Sequence, residues 1–224
     1  MAYRVGYSLK EKTMNLPNKI TISRIALIVV MIIGILVLAC IPNFHVEPIG
    51  NSPVNPVYLA ICVVFIIAAL TDMLDGKIAR KYNLVSDFGK FLDPIADKLL
   101  NDGIMIFLLV PQAYAWEQRR DPLMLTILLF CVVIMIGRDL VVDGLRLIAV
   151  RKNVVIAANI YGKLKTVFQM VAIPMLLLND WPWSYFDSSW PQALQISNIC
   201  FYIATIMSVI SGVIYVVQNR RVFK

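Results

Sequence analysis

Six apolar stretches, beginning near Ile25, Val57, Ile104, Leu123, Thr166 and Ala193, alternate with breaks containing Pro, Gly, Asn or Trp. A helical bilayer crossing needs ~20 apolar residues, and a backbone in lipid must form either helices or a closed barrel to satisfy its own hydrogen bonds. The composition points the same way: 59% of the 224 residues are hydrophobic and 16% charged, whereas soluble domains are ~45–50% apolar. The expectation is an all-α integral membrane protein with six transmembrane helices. Six spans leave no length for a separate soluble domain of ~100 residues, so residues 14–224 are read as a single membrane domain. Residues 1–13, ahead of Met14, read as a leader, tag or alternative start and are set aside.

Of the 21 basic residues, only Arg119 and Arg120 fall in the three breaks at 42–56, 111–122 and 179–192. Basic residues collect on the cytoplasmic side of short loops, so both termini are expected in the cytoplasm and the chain in a bacterial inner membrane. The formal charge of +7 then reports orientation and anionic lipid, not a nucleic-acid partner. Trp181, Trp183, Tyr185, Phe186 and Trp190 cluster in the last external break, as an interfacial aromatic belt does. Cys40, Cys62, Cys131 and Cys200 sit at unrelated spacings inside apolar runs, which excludes a zinc ligand set and a disulfide framework. His45 has no second histidine or neighbouring cysteine, which argues against a Ser-His-Asp triad and a histidine-ligated metal. Val37-Leu38-Ala39-Cys40 resembles a lipoprotein cleavage site, but Arg24 abuts the apolar run and an uncleaved helix is expected.

The charges inside the spans are the informative residues. Asp72 and Asp75 close the second helix, Asp93 and Asp97 open the third, Arg138 through Arg146 close the fourth, and Lys163 and Lys165 open the fifth. All lie at one depth on the cytoplasmic side under the expected orientation. An ionisable group facing lipid costs at least ~2.5–3.5 kcal/mol at mid-bilayer, so the set is expected to line a polar cavity open to the cytoplasm. Asp72 and Asp75 are spaced i,i+3 and Asp93 and Asp97 i,i+4, which puts each pair on one helix face. Four carboxylates brought together repel and take up protons unless a cation intervenes. All-oxygen ligation selects Mg²⁺ or Mn²⁺ over zinc, and four acids can hold two such ions ~3.5–4 Å apart. The competing structural reading pairs the acids with Lys77, Arg80, Lys90 and Lys98 as juxtamembrane salt bridges.

The run Asp72-x2-Asp75-Gly76-x2-Ala79-Arg80-x8-Gly89-x3-Asp93-x3-Asp97 resembles the signature of the CDP-alcohol phosphotransferase family at every defined position. The resemblance implies six transmembrane helices, usually in a homodimer, and a two-metal site that moves a substituted phosphoryl group from a CDP-linked donor to an alcohol, releasing CMP. By that resemblance Asp72, Asp75, Asp93 and Asp97 are metal ligands, Asp97 with Asp93 carries the catalysis, and Asp97 is the general base. Gly76, Ala79, Arg80 and Gly89 would form the cytidine-diphosphate pocket.

Asn15-Leu16-Pro17-Asn18 with Thr21 and Arg24, then Gly144-Leu145-Arg146 and Gly162-Lys163-Leu164-Lys165-Thr166, look like the branch of that family that joins CDP-diacylglycerol to glycerol 3-phosphate. Asp139 and Asp143 depart from the branch pattern, which commonly has Glu at the first position and a small residue or Thr at the second. Arg138, Arg146, Lys163 and Lys165 form a cationic pole suited to the acceptor's phosphate dianion, and Asp139 and Asp143 are expected to pair with Arg138 and Arg146. Sister enzymes acting on phosphatidylglycerol, inositol phosphate or serine are the near alternatives. A cation transporter is the alternative of another class, opposed by the absence of an inverted repeat and of acids in the outer halves of five helices.

Overall fold

The computed structural model describes residues 16–41, 46–50, 52–82, 87–110, 121–152 and 160–220. Six long helices carry the fold: α1 (Leu16–Cys40), α2 (Pro56–Lys81), α3 (Asp87–Leu109), α4 (Pro122–Arg151), α5 (Ile160–Leu177) and α7 (Ile196–Gln218). Between the last two lie the short α6 (Ser184–Asp187) and a 3₁₀ turn at Gln192–Leu194. Pro56 and Pro122 open their helices, where a missing N–H is no loss. Asn55 and Asp121 cap them by accepting from the amides of Val57 at 2.9 Å and Leu123 at 3.3 Å. Past the end of α5, Asn179 and Asp180 turn left-handed with φ of 54° and 64°, a conformation Asn and Asp tolerate better than most residues.

The helices start earlier than the apolar runs. α3 begins at Asp87 and α5 at Ile160, ahead of the apolar runs near Ile104 and Thr166, so Asp93, Asp97, Lys163 and Lys165 lie in the opening turns of their helices as the charge spacing predicts. Those charged turns remain helical because they face a cavity instead of lipid. Among the described residues five helices are long and apolar enough to cross a membrane: α1, α2, α4, α5 and α7. α3 is the exception to the six-span expectation. Its final eighteen residues include Asp93, Asp97, Lys98 and Asp102, too many charges for an unaided span.

The core joins all six long helices, with Ile28, Phe65, Met105, Leu128, Ile173 and Phe201 at its centre. α7 packs on α5 and α4, and α1 on α2 and α3. Ala68, Ala96, Ala172 and Ala204 are almost fully buried. Lipid tails are as apolar as a leucine, so dispersion and close approach at such small residues, rather than expulsion of water, hold helices together in a bilayer. The outer surface is correspondingly apolar, with Val30, Leu36, Phe130 and Leu147 at 62–69% exposure. The starts of α1, α3 and α5 and the ends of α2, α4 and α7 meet at one pole of the bundle, so successive long helices alternate in direction. Cys40, Cys62, Cys131 and Cys200 are free thiols.

Candidate active site

That pole holds a cavity of about 460 Å³. Asp72, Asp93 and Asp97 line it from α2 and α3, and Arg138, Arg146, Lys163 and Lys165 from α4 and α5. Seven residues singled out from the sequence therefore share one space. Gly89 is buried on α3, while the side chains of Asp75, Ala79 and Arg80, together with Gly76, lie outside the described residues.

The acidic side is organised by α1. Arg24 is only 2% exposed. Its guanidinium pairs with Asp72, and its Nη2 lies 4.0 Å from Asp93 Oδ1. Thr21, one turn earlier on the same helix face, donates to Asp93 Oδ1 at 3.1 Å. Arg24 Nε and Nη2 are buried with no hydrogen-bond partner among the described residues, an arrangement made tolerable by the two carboxylates beside the cation. Asp97 accepts from Asn101 Nδ2 at 2.7 Å, and that i,i+4 contact fixes the carboxylate plane.

Among the described residues no three Asp, Glu, His or Cys side chains are close enough to share one ion. The donor chemistry nevertheless suits a hard cation, since the cavity offers carboxylate oxygens and neither imidazole nor thiolate. Arg24, a monovalent cation wedged between Asp72 and Asp93, marks the place as one that demands positive charge.

On the cationic side each base except Lys163 is held. Arg138 donates to Asp139 at 2.8 Å and to Ser211. Lys165, only 6% exposed, reaches the second oxygen of Asp139 at 2.5 Å. Arg146 donates from Nε to the Tyr215 hydroxyl at 3.1 Å and lies 4.0 Å from Asp143, and Lys98 of α3 pairs with the other oxygen of Asp143. Asp139 and Asp143 thus orient the bases, as expected from sequence, and also bridge to α5 and α3. The bases still outnumber these acids, so the pole keeps a surplus of positive charge for an anionic ligand.

The salt-bridge alternative does not describe this geometry where it can be examined: Asp72 pairs with Arg24, and Lys98 pairs with Asp143. Sequence reasoning missed Arg24 and Thr21 as partners of the aspartates, Lys98 as a partner of Asp143, and Asn101, Ser211 and Tyr215 altogether. Ser208, Ser211 and Tyr215 recur at i, i+3 and i+7 on an otherwise apolar helix; that stripe was the available signal.

The profile described as CDP-alcohol phosphatidyltransferase matches residues 14–214. A Bacillus subtilis (strain 168) protein named CDP-diacylglycerol--glycerol-3-phosphate 3-phosphatidyltransferase is 39% identical, covering 94% of this chain and 97% of its own. A Mycoplasma pneumoniae protein of the same name is 36% identical over 98% and 94% of the two chains. An Arabidopsis thaliana protein, CDP-diacylglycerol--glycerol-3-phosphate 3-phosphatidyltransferase 2, is 31% identical over 96% and 83%.

Proposed function

The chain belongs to the CDP-alcohol phosphatidyltransferase family, and from that premise we propose that it transfers the phosphatidyl group of CDP-diacylglycerol to glycerol 3-phosphate, yielding phosphatidylglycerophosphate and CMP. The observation that carries the reading is the facing of two poles in one cavity, Asp72, Asp93 and Asp97 against Arg138, Arg146, Lys163 and Lys165. A neutral acceptor has no use for the second pole, whereas a phosphate dianion does. Near-full-length similarity to relatives named for this reaction supports the same acceptor.

In the proposed reaction the acceptor hydroxyl oxygen bonds to the phosphorus that carries diacylglycerol, and the bond from that phosphorus to the CMP oxygen breaks. Asp97, oriented by Asn101, takes the hydroxyl proton. Arg138, Arg146, Lys163 and Lys165 hold the acceptor's phosphate so that its hydroxyl points to the acidic pole, which converts a bimolecular encounter into a positioned one. Arg24 fixes Asp72 and keeps its charge near Asp93. Asp72, Asp75, Asp93 and Asp97 are assigned to Mg²⁺ or Mn²⁺; such an ion supplies positive charge against the donor diphosphate and the departing CMP. Gly76, Ala79, Arg80 and Gly89 are assigned to the cytidine diphosphate.

The finer membrane arrangement belongs to the same proposal. The 23 residues of α3 extend about 35 Å at ~1.5 Å per residue, enough for a sixth span whose charges face the cavity. The distribution of bases supports a cavity and both termini on the cytoplasmic side of a bacterial inner membrane, and the family resemblance supports a homodimer.

The test is to incubate purified protein with CDP-diacylglycerol and, separately, glycerol 3-phosphate, phosphatidylglycerol, inositol phosphate and serine, then identify the lipid product. Phosphatidylglycerophosphate and CMP are expected with glycerol 3-phosphate alone, and neither in excess chelator. A product from another acceptor instead would overturn the acceptor assignment; full turnover in chelator would overturn the metal assignment.

A further inference from the structure

Arg138 reaches the cavity through a gap between α5 and α7 that two glycines keep open. A Cβ at Gly212 would lie 2.8 Å from Arg138 Cγ, 3.6 Å from its Nε and 3.8 Å from its Cδ. A Cβ at Gly162 would lie 3.3 Å from Ser211 Oγ and 3.6 Å from Arg138 Nη2. At Gly34, Gly50, Gly103, Gly137 and Gly144 an added Cβ meets nothing within 4 Å, so among these described glycines the restriction is particular to the two beside this arginine. Cγ stands at the root of the side chain and cannot move aside without a change of χ1 rotamer. Alanine is the better helix former inside α7, so a glycine at 212 gives up helix stability and needs another reason to be there.

The tip of the same arginine is fastened beyond the gap. Nη1 donates to Asp139 at 2.8 Å and Nη2 to Ser211, and Ser211 is fully buried. Ser211 and Gly212 are consecutive on α7: one grips the guanidinium and the other makes room for its stem. A planar fork held in a single rotamer loses little freedom when it meets a phosphate.

We infer that Gly212, with Gly162 and Ser211, forms a slot that selects the Arg138 rotamer and thereby sets the affinity for the acceptor's phosphate. These three are positioning residues, and the inference rests on the cationic pole being the acceptor site. Gly212→Ala displaces the guanidinium and raises KM for glycerol 3-phosphate roughly tenfold or more, the scale of a lost charge-assisted hydrogen bond. KM for CDP-diacylglycerol and the melting temperature stay unchanged, and Gly34→Ala alters neither KM. Ser211→Ala, which adds no bulk, raises the acceptor KM severalfold and tests the slot even if Gly212→Ala fails to fold. In an Arg138→Gln background neither substitution adds a further defect, because the side chain they position is gone.

Michaelis constants for both substrates in these variants decide the matter. If Arg138→Gln leaves the acceptor KM unchanged, the acceptor-site reading fails and the slot falls with it. If Arg138→Gln raises that KM while Gly212→Ala and Ser211→Ala do not, the slot alone is refuted. Equal losses for donor and acceptor would also refute it, since they would indicate general damage to the bundle.

Discussion

At one pole of the bundle Asp72 pairs with Arg24, and Asp139 with Arg138 and Lys165, around an open cavity of about 460 Å³. At the opposite pole Asp180 and Asp187 are 2% and 0% exposed, and among the described residues no base pairs with either. Their support is backbone. Asp180 accepts from the Ser197 amide at 2.8 Å and Asp187 from the Ile196 amide at 2.9 Å, so both carboxylates satisfy the first free N–H groups of α7, where the helix dipole favours negative charge. The first pole spends its charges on an accessible space. The second spends them on closing the α5–α7 connection. Buried acids alone therefore do not mark a site; acids facing bases across a cavity large enough for a ligand do.

The largest test of this contrast is Asp97→Asn. It keeps the shape and the Asn101 contact but removes the proton acceptor, so kcat is expected to fall by ~10²–10⁴ with the helical circular-dichroism spectrum unchanged. A loss no greater than that of Asp180→Asn would erase the distinction between the poles.

Lys165→Gln comes next. Removing a charge-assisted contact worth ~1.5–3 kcal/mol should raise the glycerol 3-phosphate KM roughly 10–150-fold, with the donor KM almost unaffected. Initial rates across a matrix of both substrate concentrations separate these effects.

The smallest effect lies at the opposite pole and concerns stability. The Asp180 carboxyl is pushed up to about 6, first by burial and then by the Asp187 carboxyl beside it. Between the ordinary carboxylate pKa and about 6 the folded chain therefore binds a proton that the unfolded chain has released. Stability falls as pH rises through that window and is lowest above it. Asp180→Asn keeps an oxygen for the Ser197 amide and removes the charge. It should flatten this slope and raise stability at pH 8 by about 1–3 kcal/mol, leaving turnover unchanged. Melting curves from pH 4 to pH 8 check it, and an unaltered slope would show that the pair holds its charge without strain.

The sequence pattern made some of this legible and hid the rest for physical reasons. Apolar runs of bilayer length identify α1, α2, α4, α5 and α7, and i,i+3 and i,i+4 spacing identifies the acidic and basic faces. The start of α3 was legible from charge spacing rather than hydropathy: its apolar run begins only near Ile104, but the i,i+4 placement of Asp93 and Asp97 already put those residues on a helix, which begins at Asp87. Arg24 stood out as a flank of the first apolar run and in the branch resemblance, but not as a partner of Asp72, which is distant in sequence and connected to it by no local period. Ser211 was concealed in another way: the Ser208, Ser211 and Tyr215 stripe marks a polar face of α7, but only the seating of α7 on α4 and α5 reveals the arginine that Ser211 holds.

Thr21 and Arg24 come from the first helix, and Ser211 and Tyr215 from the last. The walls of the cavity thus span nearly the whole order of synthesis. A chain still emerging from the ribosome can present its aspartates to the membrane, but it lacks the hydroxyls that seat Arg138 and Arg146 until α7 is in place. A chain truncated before α7 would lack the partners of Arg138 and Arg146 and is expected to show no transferase activity.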